Sequence, residues 1–154
     1  MAGYFVDSSA LVKRYVLEAG TVFVRSLTNR KSHNAIFISR IASVEVTAAI
    51  ARRRKGRSVT ATQASSILSR FRKHLAGRYT IAEVTPTLLT DAMKLANTHE
   101  LRAYDAVQLA TAIEVQRQWL RLGQGGIVFV SSDKDLNAAA TAEGFTVEDP
   151  RERP

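Results

Sequence analysis

Four carboxylates, Asp7, Glu45, Asp105 and Asp133, sit after strand-like apolar runs or inside apolar helix-like runs, where a lone charge is poorly tolerated. The sharpest case is Tyr4-Phe5-Val6 running into Asp7-Ser8-Ser9 and then Ala10-Leu11-Val12: a buried strand, an acid, two hydroxyls able to cap, and a helix start. Glu45 is flanked by Ile41, Ala42, Val44, Val46, Ala48, Ala49 and Ile50, and Asp105 by Ala103, Ala106, Val107, Leu109 and Ala110. Two carboxylates about 4 Å apart repel by roughly 4 kcal/mol at an effective dielectric near 20, so four converging acids need a cation. With oxygen as the only donor, a hard divalent ion, Mg²⁺ or Mn²⁺, is favoured over zinc. Such an ion suits phosphodiester hydrolysis, because it polarises a phosphate and activates a water.

Each acid also has a plainer reading. Asp7 and Asp133 could simply cap the helices that follow, and Glu45 and Asp105 would be favourable in a helix's first turn through the dipole. The joint placement of all four is what argues for a site. Asp135, two residues past Asp133, reads first as a dipole partner and second as a supporting acid, and Ser9 first as a cap and second as a hydrogen-bonding support. The histidines, His33, His74 and His99, are widely spaced and read as surface residues. The chain has no cysteine, which excludes disulfides, thiolate metal sites and a cysteine nucleophile. It also lacks a Gly-x-Ser-x-Gly elbow, a Walker loop and Gly-x-Gly-x-x-Gly. A phosphatase with Asp7 as nucleophile is weakened by Ser9, which stands where a second aspartate would be expected.

The elements that must position these acids alternate. Strand-like runs are Tyr4–Val6, Ile36–Ile38, Tyr79–Ile81, Ile127–Val130 and Phe145–Val147, rich in β-branched or aromatic residues. Helical patterns cover Ala10–Val16, Thr21–Asn29, Ile41–Arg53, Thr60–Leu75, Pro86–His99, Ala103–Leu122 and Lys134–Ala142, with Thr85 as a cap before a first-turn proline and Gly144 as a terminator. Alternation of this kind predicts an α/β fold with a mostly parallel sheet of about five strands and helices on both faces. In such a sheet Asp7 and Asp133 emerge at the same edge, and Glu45 and Asp105 lie in helices starting from that edge.

At 154 residues the chain is expected to form one domain over residues 1–154, with its Arg-Glu-Arg-Pro end frayed. It has no apolar run of membrane-spanning length, and its start does not read as a secretory signal, so a soluble cytoplasmic protein without a membrane partner is expected. The net charge is +8, which suits a polyanion such as nucleic acid. Arg52, Arg53, Arg54 and Lys55 form the densest basic run and are the candidate RNA contacts, although cations also suit a helix's last turn. Trp119 reads as core or subunit packing.

The segments Phe5-Val6-Asp7-Ser8-Ser9-Ala10-Leu11-Val12-Lys13-Arg14-Tyr15, the helix-borne Glu45, Arg102-Ala103-Tyr104-Asp105-Ala106 and Ser131-Ser132-Asp133-Lys134-Asp135-Leu136 resemble the PIN-domain nucleases. Within these they are most similar to the VapC-type toxins of type II toxin–antitoxin systems, from Tyr4 to about Phe145. The resemblance implies a three-layer α/β/α sandwich and a Mg²⁺- or Mn²⁺-dependent endoribonuclease, cleaving with a metal-activated water at Asp7, Glu45, Asp105 and Asp133. It further implies a homodimer and a cognate VapB-like antitoxin that occupies the acidic groove. Two other readings stay open: a housekeeping PIN-type nuclease in RNA maturation, and a non-enzymatic nucleic-acid-binding adaptor on the same scaffold.

Overall fold

A computed structural model describes residues 1–153. Five strands, β1 (Gly3–Val6), β2 (Ala35–Ser39), β3 (Thr80–Ala82), β4 (Val128–Val130) and β5 (Thr146–Glu148), form one sheet in the order β3-β2-β1-β4-β5. Every neighbouring pair is parallel. Among the described residues the helices are α1 (Ser8–Leu11), α2 (Thr21–Thr28), α3 (Ala42–Lys55), α4 (Ala61–Gly77), α5 (Pro86–His99), α6 (Ala103–Arg121) and α7 (Lys134–Ala142). Their starts follow local chemistry. Thr60 and Gln63 close a capping box, Thr85 Oγ1 accepts the Leu88 N–H at 3.1 Å ahead of Pro86, and Gly144 terminates the last helix at φ 93°.

Strand residues alternate between two cores, which makes three layers. Phe5, Phe37 and Phe129 face α5, α6 and α7 together with Leu95, Leu109, Leu136 and Phe145. Val6, Ile36, Ile38 and Val130 face the other layer, against Leu11, Leu27, Val46, Ile50, Ile67 and Phe71. Trp119 packs edge-on against Phe37 with ring centroids 5.2 Å apart, and a Cβ at Gly3 would lie 3.1 Å from its indole. The core role expected for this tryptophan is the observed one.

Three expectations need correction. The first helix does not run over Ala10–Val16: it starts at Ser8, because Asp7 is itself the cap, and tightens after Leu11 into a 3₁₀ turn at Val12–Arg14. The carboxyl end is not frayed through Arg153. Pro150–Glu152 form a 3₁₀ turn, Arg153 pairs with Glu148 and lies over the Phe23 ring, and Gly20 at φ 93° admits Pro150 where a Cβ would meet it at 2.6 Å; Pro154 lies outside the described residues. The histidines are not all free surface residues, since His74 Nδ1 lies 2.6 Å from the Tyr15 hydroxyl and His99 pairs with Glu143 at 2.9 Å.

Phe129, on β4 beside the central strand, is fully buried, stacked on Phe5 and tilted against Phe145. Phe129→Ala is expected to destabilise the fold by about 3–5 kcal/mol in urea unfolding. A loss below about 1 kcal/mol would mean that this aromatic stack is not central to the core.

Candidate active site

The strand order fixes the position of the site. After β1 the chain builds outward to β2 and β3, then returns to place β4 on the other side of β1. The crevice above the carboxyl ends of β1 and β4 is therefore the switch point, where helix connections diverge and leave space for a ligand. The Asp7 N–H still donates to Val130 O at 3.1 Å, so the two strands stay paired up to the acid. Asp133 follows β4 after Ser131 and Ser132.

The capping expected of these aspartates is observed. Asp7 Oδ1 accepts the Ala10 N–H at 3.1 Å and the Ser9 hydroxyl at 2.8 Å, and Asp133 Oδ1 accepts the Leu136 N–H at 2.9 Å. Each is a true cap. All three bonds fall on Oδ1, so capping engages one oxygen of each carboxylate. Ser9 does more than its own helix needs, because its Oγ also accepts the Ser132 N–H at 2.9 Å and ties the α1 start to the loop after β4. Ser131 Oγ accepts the Asp133 N–H at 3.1 Å, which sets the turn that carries Asp133.

Glu45 and Asp105 approach from opposite layers, in the first turns of α3 and α6. Gln108, one turn after Asp105 on the same face of α6, reaches across to Glu45. Its Nε2 donates to Glu45 Oε1 at 2.7 Å and to Ser8 Oγ at 3.0 Å, while Ser8 Oγ donates to Glu45 Oε1 at 2.8 Å. Gln108 is buried, and its Oε1 has no protein hydrogen-bond partner among the described residues. Sequence reasoning missed both Gln108 and this role of Ser8; the available signal was an amide inside the apolar run Val107–Ala112.

Electrostatics joins the acids into one group. Burial pushes the Asp7 carboxyl up to about 7; the Ser9 and Ala10 hydrogen bonds oppose this and Glu45 adds to it. Asp105 is pushed up to about 6 by burial first, then by Asp133 and Glu45, with Arg102 opposing and Asp135 adding a smaller push. Asp135 itself is exposed in the first turn of α7. Among the described residues no three acidic or histidine side chains close into a metal cage. The carboxylates share an edge and a field without being drawn tight. The donors are all oxygen, and buried or mutually repelling carboxylates are eased by a cation, so their chemistry fits a hard divalent ion.

The basic run divides. Arg52, Arg54 and Lys55 are exposed at the end of α3, about 14 Å along the helix from Glu45. Arg53 is half-buried, pairs with Glu18 at 3.3 Å and donates to Ala49 O, and Lys13 joins the same Glu18 at 3.2 Å. Arg53 thus has a structural role that its neighbours lack.

A parallel-sheet α/β/α domain with acids around its central switch point is a doubly wound α/β protein whose ligand crevice is lined by carboxylates. The chain belongs to the PIN domain family, whose profile matches residues 4–142. It is 31% identical over 143 residues to Ribonuclease VapC45 of Mycobacterium tuberculosis (strain CDC 1551 / Oshkosh), spanning 93% of this chain and 92% of the relative. Two solved structures share the fold. VapBC2 from Rickettsia felis, bound to a DNA fragment from its promoter, superposes with a TM-score of 0.64 at 16% identity, over 96% of this chain and 98% of that chain. PAE2754 from Pyrobaculum aerophilum gives 0.60 at 20% identity, over 99% of this chain and 92% of that one.

The buried acid makes a pH prediction. The folded Asp7 takes up its proton more readily than the unfolded residue, so its penalty is absent below about pH 4 and grows as pH rises through about 7. Without metal, Asp7→Asn keeps the capping oxygen and should be more stable than the parent by about 2–4 kcal/mol near pH 8, with the difference vanishing near pH 4. Equal stability at both pH values in chelator-treated samples would contradict the burial of this charge.

Proposed function

We propose that the protein is an endoribonuclease, the toxin of a type II toxin–antitoxin pair, acting as a single unit in the cytoplasm. The observation that carries this reading is the convergence of buried Asp7 with Glu45, Asp105 and Asp133 at the switch point of a PIN-domain sheet. The ribonuclease relative of matching length supports RNA as substrate. The same four carboxylates would hold Mg²⁺ or Mn²⁺, which when bound neutralises phosphate charge and acidifies a water. Among the described residues no helix is long and apolar enough to cross a membrane.

This chain's residues have separable tasks. Asp7 is fixed by Ser9 and the α1 amide, so its carboxylate is oriented before ligand arrives. Ser8 and Gln108 hold Glu45 Oε1, which couples the α3 and α6 layers across the site. Asp135 stands next to this group as a supporting acid, and Arg52, Arg54 and Lys55 offer phosphate contacts along α3. Adding Mn²⁺ at about 100 times its dissociation constant should stabilise the folded protein by about 2.7 kcal/mol. Asp7→Asn should lose that gain and all RNA cleavage. An Asp7→Asn protein that cuts RNA at the parental rate in Mn²⁺ would remove this residue from the centre and favour the adaptor reading.

An open nuclease needs a mask, and the rim of the site is suited to one. Val44 and Tyr104, each adjacent to one of the acids, are 67% and 62% exposed. A VapB-like antitoxin would lay an apolar segment over these residues and place an Arg or Lys among the carboxylates. The VapBC2 assembly is consistent with such a pairing. A homodimer belongs to the same reading, with exposed Leu89 and Met93, one turn apart on α5, offering an apolar face. Inhibition should compete with metal, so raising Mn²⁺ at fixed antitoxin should partly restore cleavage. Inhibition that is indifferent to Mn²⁺ would place the mask away from the acids, and a chain harmless when expressed alone in folded form would favour a housekeeping nuclease.

A further inference from the structure

A second charged concavity lies away from the acids. It is a half-open cavity of about 430 Å³ whose lining includes Arg14, Arg25, Arg30, Arg70, Arg78 and His74. Its position follows from topology. Arg30 precedes β2 and Arg78 precedes β3, so these side chains start from the amino ends of strands whose carboxyl ends belong to the acidic edge.

The composition of this cavity is unusual for the molecule. Five arginines elsewhere pair with acids, Arg40 with Glu83, Arg53 with Glu18, Arg117 with Glu114, Arg151 with Asp149 and Arg153 with Glu148, and the unpaired ones, such as Arg52 and Arg54, stand on exposed surface rather than in a cavity. Among the described residues none of the five cavity arginines pairs with a carboxylate, and no acid lines the cavity. Three are instead fastened by neutral oxygens. Arg78 Nε donates to Thr28 O at 2.8 Å, Arg25 Nε to Arg14 O at 3.1 Å, and Arg14 to the Thr28 hydroxyl. These bonds fix the guanidiniums and leave their charge unneutralised. Arg30 and Arg70 make no side-chain hydrogen bond within the described residues and are free to close on a ligand.

We propose that this arginine cleft binds phosphate groups of a single-stranded RNA and holds the strand at a distance from the acidic centre. Planar guanidinium forks match phosphate oxygens in pairs, and several on one concave wall follow a backbone with repeating anions. The choice of RNA as the polyanion rests on the ribonuclease reading; the phosphate chemistry rests on the cleft alone. His74 lies within the same field. Burial, and then Arg14, Arg70, Arg30 and Arg78, hold its imidazole down at about 4, while Tyr15 and Tyr79 pack against the ring. A phosphate seated among these guanidiniums cancels part of that field.

The test uses the full chain carrying Asp7→Asn in chelator, so that binding is read without cleavage. Titration with a short single-stranded RNA should raise the His74 pKa, followed by imidazole NMR, by about one pH unit or more. In the same background Arg30→Gln with Arg70→Gln should bind the RNA about tenfold more weakly near 0.1 M salt. Its log–log salt slope should be shallower by about 1.4, or about 0.7 for each phosphate that is no longer neutralised. These two arginines brace nothing in the fold, so the variant's unfolding midpoint should match its parent and separate lost binding from lost structure. Unchanged affinity and slope in the variant overturn the proposal, as does RNA binding that leaves His74 untouched. Polyglutamate displacing RNA and binding more tightly than it would also overturn it, in favour of an acidic protein segment. RNA binding at the cleft by a chain whose native form never cleaves RNA would uphold the cleft and reject the nuclease reading.

Discussion

The burial of Asp7 at the end of the central strand is the constraint on which the surrounding structure depends. An ionised carboxylate there has lost most of its water, so its neighbours must supply hydrogen bonds and its ligand must supply charge. The Ala10 amide and the Ser9 hydroxyl provide the first. They do not provide the second, and burial holds the carboxyl up at about 7. Ser9 and the first amides of α1 serve this group directly, while Ser8 turns away from it to Glu45.

The layered architecture turns that local problem into a site. Glu45 belongs to the layer over one face of the sheet and Asp105 to the layer over the other, and they meet only because α3 and α6 both begin at the edge where β1 and β4 end. Gln108 spans the junction, and a neutral amide suits this position because it can donate to Glu45 without cancelling the negative field. A lysine there would neutralise the cluster from within and compete with any divalent ion.

Charge is separated across the molecule rather than spread over it. Four acids stand at the carboxyl edge of the sheet, while five arginines without acidic partners line one cleft, two of them at the amino ends of β2 and β3. Between these regions, paired charges such as Lys13–Glu18–Arg53 tie α3 and the 3₁₀ turn at Val12–Arg14 to the loop before α2. Exposed pairs such as Arg40–Glu83 contribute little stability individually. Their effect is to leave net positive charge where pairing is absent, and so to give the surface a polarity that a polyanion can read.

The sequence by itself determined the α/β alternation, because hydrophobic period and cap chemistry act within a few residues. Pro86–His99 and Lys134–Ala142 have the expected limits, since Thr85, Pro86 and Asp133 specify them locally. It also singled out the four acids, because a carboxylate in an apolar run is conspicuous without coordinates. The first helix begins two residues before its apolar pattern does, because the Asp7 carboxylate, rather than a serine hydroxyl, takes the cap. Tertiary structure alone decided what depends on distant partners: Gln108 on Glu45 across 63 positions, His74 on Tyr15 across 59, and Pro150 seated on Gly20. It also decided that Arg53 braces Glu18 while its neighbours stay free, and that five arginines from separate segments line one cleft. No local pattern encodes those meetings, because they depend on which strand lies beside which, and that order is set by the packing of the whole sheet.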